Sequence, residues 1–164
     1  MHKKYLFSES RMGWINNKHR RASGCVFCWL AKGDMDKGKI LHKTSEILVV
    51  MNIFPYNTGH LQVLPLRHVE TFEELTEKEI ASLFVMVRRC VRLLRKVLNP
   101  DGFNIGVNIG GDVAGASIAH LHVHIVPRFR GDSGFMESVA DTKVLPQTLD
   151  QVFEKLKKEA RMLD

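Results

Sequence analysis

Cysteine is scarce in this chain: the 164 residues include three, Cys25, Cys28 and Cys90. An odd number of thiols argues against a disulfide framework and points to a reducing compartment. Long apolar runs are missing as well, and no stretch approaches the roughly 20 residues of a membrane-spanning helix. The basic N-terminus, MHKKYLFSES, lacks the apolar segment of a secretory signal. A cytoplasmic protein with no membrane partner is therefore expected. There is no internal repeat and no low-complexity tract. The one loop rich in small residues lacks the Gly-Lys-Ser/Thr ending of a Walker phosphate loop.

What is present fits one globular domain. A chain of this length buries roughly 70% of its unfolded surface, so no disulfide staple is needed. Lys and Arg number 24 against 18 Asp and Glu, for a net charge of +6. That excess suits an anionic ligand, either a nucleotide phosphate or a nucleic acid. A generally basic, solvated surface accounts for it equally well.

The first 24 residues are polar and weakly periodic, which suggests an extended arm. Residues 39–41 and 47–52 read as strands, Pro55, Asn57 and Gly59 mark a turn, and 60–66 reads as a third strand, with Pro65 at its end or on an edge. Thr76 to Glu79 forms a capping box. Ile80, Leu83, Phe84, Val87, Val91, Leu94 and Leu98 follow at helical spacing. Cys90 lies beside that stripe as a buried packing thiol. Residues 103–108 and 120–126 read as two further strands, joined by the loop 110–117, and Pro127 ends the second. Residues 146–160 suggest a closing helix. The expectation is an α+β fold with an antiparallel sheet of about five strands, a long helix and a C-terminal helix.

The chemistry concentrates in HLHVHIV, residues 120–126. On a strand, His120, His122 and His124 share one face at about 6.6 Å per step, while Leu121, Val123 and Ile125 fill the other. Binary patterning accounts for the apolar residues but not for three imidazoles in a row. All three cannot close on one metal ion with bonds of about 2.1 Å, although one or two can with outside help. An imidazole with a pKa near 6.5 is also a good nucleophile, able to attack phosphorus and hold a nucleotidyl group. The small residues from Gly110 to Ser117 let backbone N–H groups approach a phosphate closely. Cys25-x-x-Cys28 is ambiguous by itself: such a pair binds zinc, cycles redox or simply packs.

His120 to Val126, with its His-x-His-x-His and two following apolar residues, resembles the signature of the histidine triad (HIT) superfamily of nucleotide hydrolases and transferases. Gly24 to Cys28, Met51 to His60, Pro65 to His68, Ala114 to Ile118 and Pro127 to Asp132 are similar to the family's surrounding segments, so the resemblance covers about residues 24 to 136. Gly131, Asp132, Phe135 and Met136 look like the branch that holds diadenosine tetraphosphate phosphorylases and related hydrolases. Ala116 stands where many HIT hydrolases carry Gln, a departure that fits the phosphorylase-like branch better than the adenosine phosphoramidase type.

The resemblance implies the site. His122 would be the nucleophile, His124 would contact the phosphate, and His60 would complete the cluster. Asn52 would bind the ribose. Val26, Phe27, Leu30, Val50 and Ile53 would form the adenine pocket. Asn108, Gly115 and Ser117 would hold the α-phosphate. Cys25, Cys28, His68 and His120 would bind a structural zinc ion. One HIT domain would span 1–164, with an arm at 1–23, a core at 24–136 and a tail with a helix at 137–164, and it would form a homodimer. The substrate would be an adenine nucleotide or a dinucleoside polyphosphate, with nucleic acid not expected. A reading of another class is a non-catalytic nucleotide- or RNA-binding zinc module, which has no need of His122.

Elsewhere, Trp14 and Trp29 suit base stacking or, more simply, core or interface packing. Arg128 and Arg130 suit distal phosphates or a plain surface role. His2, His19 and His42 are expected to be exposed. Asp112 and Asp132 suit turns.

Overall fold

Strand β2 (Ile47–Met51) is buried along its whole length, and its alternating side chains serve two different cores. Ile47, Val49 and Met51 join one apolar cluster, while Leu48 and Val50 join another. Five consecutive apolar residues are what a strand covered on both faces requires. In the computed structural model of this chain the described residues are 24–115, 118–132 and 144–164. Ser117, Ala116, Phe135, Met136, Trp14 and the arm 1–23 lie outside them. Cys25–Asp132 and Leu145–Asp164 form one compact unit, to which the following description applies.

A short helix, α1 (Val26–Leu30), is followed by β1 (Ile40–Lys43), β2, β3 (Leu61–Pro65) and the long helix α2 (Glu77–Leu98). Then come β4 (Gly102–Val107), β5 (Val123–Arg128) and α3 (Leu149–Lys158), with a 3-10 turn at Ala160–Leu163. The sheet order is β1-β2-β3-β5-β4, and every pairing is antiparallel. The expected α+β class, five strands and two main helices are all present.

Helix α2 starts where the capping box places it: Thr76 Oγ1 accepts from the Glu79 N–H, and the Glu79 carboxylate accepts from the Thr76 N–H. It ends at Asn99, whose left-handed backbone satisfies the Arg95 carbonyl. Leu83, Met86, Val87, Cys90, Leu93 and Leu94 pack on Val49, Val63, Leu121, Val123 and Ile125. Cys90 is buried as expected. Phe84 is not part of this stripe; it is exposed, because the 3.6-residue period turns it to the helix edge. The opposite face of the sheet carries α1, with Phe27 packed on Ile40, Leu48, Val50 and Leu64.

The histidine-bearing strand differs from the one expected at 120–126. β5 begins at Val123, not at His120, and it runs through Pro127 to Arg128. Pro127 is tolerated because its carbonyl accepts from the Asn57 side chain. Its nitrogen therefore faces that same edge, where the ladder to β3 has already ended at Leu61–Ile125. β4 pairs on the other edge, with Phe103 opposite Pro127. Two further expectations change. Trp29 is 71% exposed, which excludes the core part of its packing expectation, because the five-residue α1 buries only Phe27. His42 is half-buried in β1, near Asp164, and burial holds its imidazole below the usual range.

Candidate active site

The histidines occupy the sheet face opposite α2. His122 and His124 approach edge-on with ring centroids 4.6 Å apart, and His124 lies 5.1 Å from His60. His120 instead faces His68, at 5.0 Å. The row thus divides in two, because the segment before Val123 leaves the strand path. The Leu121 N–H bonds to the Val69 carbonyl, and His120 and His122 are fully or nearly buried.

Hydrogen bonds decide which nitrogen of each ring is free. The nearest partner of His122 Nδ1 is the His120 carbonyl, at 2.7 Å. A carbonyl only accepts, so Nδ1 carries the proton and Nε2 presents a lone pair. The opposite rule governs His60. The Tyr56 N–H donates to its Nδ1 at 3.1 Å, and Asn52 Nδ2 lies 3.2 Å from the same atom. A backbone N–H only donates, so the His60 proton is on Nε2. That N–H donates to His124 Nδ1 at 2.9 Å, which leaves the His124 proton on Nε2. The site therefore offers a lone pair on one imidazole and an N–H on its neighbour.

Burial keeps this set neutral. Desolvation, helped by the two neighbouring imidazoles, pushes His60 down to about 3. His124 is pushed down to about 4, by burial first and then by His122. Burial also lowers His122. A cationic imidazole would be costly here.

His120 serves a second cluster. Its Nε2–H donates to the Pro65 carbonyl at 2.9 Å, leaving the Nδ1 lone pair aimed at the thiols. Cys25 Sγ is 3.3 Å from that nitrogen and Cys28 Sγ 3.8 Å, while His68 Nδ1 lies 3.5 Å from Cys28 Sγ. All four donor atoms lie within 4.8 Å of one another. A tetrahedral Cys₂His₂ zinc site, with bonds of about 2.0 to 2.3 Å, has ligand-to-ligand edges of about 3.3 to 3.8 Å. The donor set and its spacing fit such an ion. Burial and the neighbouring Cys25 push the Cys28 thiol up, and a divalent cation removes that penalty by favouring thiolate.

The remaining expected residues fall as follows. Val26, Phe27, Leu30 and Val50 share the α1 cluster beneath the histidines, with Phe27 edge-on to His122 at 5.2 Å. Ile53 stands apart, 54% exposed. Asn52 is next to His60, and its Oδ1 accepts from the Phe54 N–H. Asn108 lies one residue beyond the Val107–Val123 pair that ends the β4–β5 ladder. Gly115 is exposed, with φ +77°. Arg128 pairs with Asp132 through two nitrogens and with Asn104 through a third, and Arg130 lies 3.7 Å from Asp101.

Three contributors escape a reading of the sequence. Tyr56 supplies the N–H that sets the His60 tautomer, and its ring stacks on His60 at 5.0 Å. Gln62 is buried opposite His124 across the β3–β5 ladder. On the other side Gly106 pairs with His124, and the space where its Cβ would stand is open. The turn signal at Pro55, Asn57 and Gly59 located Tyr56 without indicating its role.

A buried tautomer-locked imidazole pair, beside a Cys₂His₂ cluster on a five-stranded sheet, defines the class of protein. The HIT domain family profile matches residues 35–131, and the chain belongs to that family. It is 40% identical over 114 residues to the AP-4-A phosphorylase of Mycobacterium tuberculosis; the match covers 70% of this chain but 58% of that relative. It is 35% identical over 94 residues to the asymmetrical bis(5'-nucleosyl)-tetraphosphatase of Schizosaccharomyces pombe, covering 57% of this chain and 51% of that one. In structure it resembles a Zn-bound histidine triad family protein from Mycobacterium smegmatis, with a TM-score of 0.69 and 27% identity over 86% of this chain and 96% of the other. No helix among the described residues is long and apolar enough to cross a membrane.

Proposed function

We propose that this protein transfers a nucleotidyl group from an adenosine-containing dinucleoside polyphosphate, with diadenosine tetraphosphate as the favoured substrate and inorganic phosphate as the favoured acceptor. The observation that carries the reading is the opposed tautomers of His122 and His124. The His122 Nε2 lone pair attacks the α-phosphorus, a P–N bond forms, and the P–O bond to the remaining polyphosphate breaks. The electron pair leaves with that oxygen, as an anion that needs no proton. His124, neutral and protonated on Nε2, donates a hydrogen bond to the phosphoryl oxygens as charge develops. Such a preorganised donor is worth most in a buried, water-poor site. Phosphate reaches the intermediate already as an oxyanion, so its attack on phosphorus breaks the P–N bond and returns neutral His122.

Ala116 in place of the Gln common in HIT hydrolases, together with the likeness to the M. tuberculosis phosphorylase, supports phosphorolysis over hydrolysis. Asn52 would meet the ribose, the α1 cluster the adenine, and Asn108, Gly115 and Ser117 the α-phosphate. Cys25, Cys28, His68 and His120 would hold zinc, whose chemistry here is structural: it would fix the segment that carries His122. The unit would be one HIT domain that pairs with a second copy.

The test is incubation with diadenosine tetraphosphate, with and without phosphate. ADP formed only in the presence of phosphate supports the phosphorylase. AMP plus ATP under both conditions means hydrolysis, and no turnover sinks the enzymatic reading in favour of a binding module.

A further inference from the structure

The tautomer of the His60–His124 pair depends on two donors to His60 Nδ1, the Tyr56 N–H at 3.1 Å and Asn52 Nδ2 at 3.2 Å, and the first of them depends on the position of the turn that carries it. That turn is clamped at two points. Gly59 has φ +80°, and a Cβ there would collide with Leu98 and press on Leu94, both on α2, so the chain lies flush against the end of the helix. Asn57 is buried, and its Nδ2 donates both to the Pro127 carbonyl at 3.0 Å and to Asp132 Oδ2 at 2.8 Å. Asp132 in turn accepts from Arg128 at 2.7 and 2.8 Å and from the Phe129 N–H at 3.1 Å. The Asn57 carbonyl accepts from the His60 N–H. One side chain thus ties the loop after the catalytic strand to the loop before His60.

We propose that Asn57 and Asp132 are positioning residues, a latch that holds the Tyr56 N–H on His60 and so keeps the His124 proton on the nitrogen facing substrate. The proposal deepens the nucleotidyl-transfer reading and rests on it for its kinetic consequence only. With the latch open, the turn shifts and the Tyr56 N–H leaves His60 Nδ1. Asn52 Nδ2 is then the one remaining donor to that nitrogen, and part of the His60 population moves its proton to Nδ1. A fraction of the molecules would present a His124 lone pair, in place of an N–H, to the phosphoryl oxygens. The base contacts proposed on α1 lie elsewhere, so most of the loss is expected on the chemical step.

The variants are Asn57→Ala and Asp132→Asn; the second keeps the side-chain volume and serves if the first does not fold. Ring ¹⁵N chemical shifts of His60 and His124, read without substrate, are expected to show the Nε2–H form in the native protein and a mixture in either variant. For turnover of diadenosine tetraphosphate with phosphate, kcat is expected to fall about tenfold or more, with KM within about threefold; a fully lost donor costs about 10²–10³. Unchanged ring tautomers in a folded variant overturn the latch, and so does a native kcat. If the native protein turns over no nucleotide, the proposed function falls, and the ring nitrogens alone decide the latch.

Discussion

His60 Nε2 lies 2.9 Å from His124 Nδ1, and the direction of that hydrogen bond is set from outside the pair, by the Tyr56 N–H and Asn52 Nδ2 on the far nitrogen of His60. Replacement of His60 by Gln leaves His124 free to take either tautomer. The expected result is a kcat lower by about 10²-fold, the cost of one preorganised donor, with little change in KM, measured by steady-state kinetics on diadenosine tetraphosphate.

His122→Asn removes the lone pair that attacks phosphorus. Turnover is expected to drop on the order of 10³-fold or more, while AMP affinity stays within a few-fold by calorimetry. A second arm is quenched turnover with labelled substrate. The label should sit on the ring of His122 in the native protein and be absent from the variant.

The depressed histidines make stability depend on pH. His60, at about 3, and His124, at about 4, bind protons less readily folded than unfolded, where imidazole titrates near 6.5. The unfolded state therefore takes up more protons below about pH 6.5, and folding stability falls as pH drops from there through about 4 and on to about 3. Their contribution is fully present above about pH 6.5. Denaturant melts at successive pH values should show a shallower decline for His60→Gln than for the native protein, with parallel curves above neutrality.

About one equivalent of zinc per chain is expected on metal analysis of the purified protein. Cys25→Ser with Cys28→Ser should reduce it below a tenth of an equivalent and lower the Tm. His68→Ala should weaken retention against a chelator, because His68 is the most exposed of the four ligands.

Gly59→Ala tests the turn against α2. The positive φ and the collision with Leu98 together predict a loss of about 1 to 3 kcal/mol on denaturant unfolding. Separately, β4 forms one outer edge of the sheet and exposes Ile105. If two copies join there, sedimentation should report a dimer, and Ile105→Lys should convert it to a monomer.

Residue pattern alone was enough for the five strands and the two longer helices of the described unit, to within a few residues, but not for α1 or the short 3-10 turns. The Thr76 capping box and the apolar stripe of α2 depend on local spacing, and so do the doubly apolar run of β2 and the alternation around Ile125. Such periodicities follow from helix and strand geometry, whatever the rest of the chain does. The start of β5 differs from the expected one because His120 to His122 alternates like a strand, yet the pairing with both β3 and β4 stops at Val123. Exposure of Trp29 and Ile53, and the half-burial of His42, were equally out of reach, since each depends on which distant segment covers the residue.

The sequence by itself determined which residues could do the chemistry: a row of imidazoles, a pair of thiols and a turn rich in Pro, Asn and Gly. Only the tertiary structure decided which nitrogen of each imidazole is free. That choice rests on the Pro65 carbonyl, the His120 carbonyl and the Tyr56 N–H. Backbone groups of this kind are the same in every residue, and only folding brings them to a particular ring.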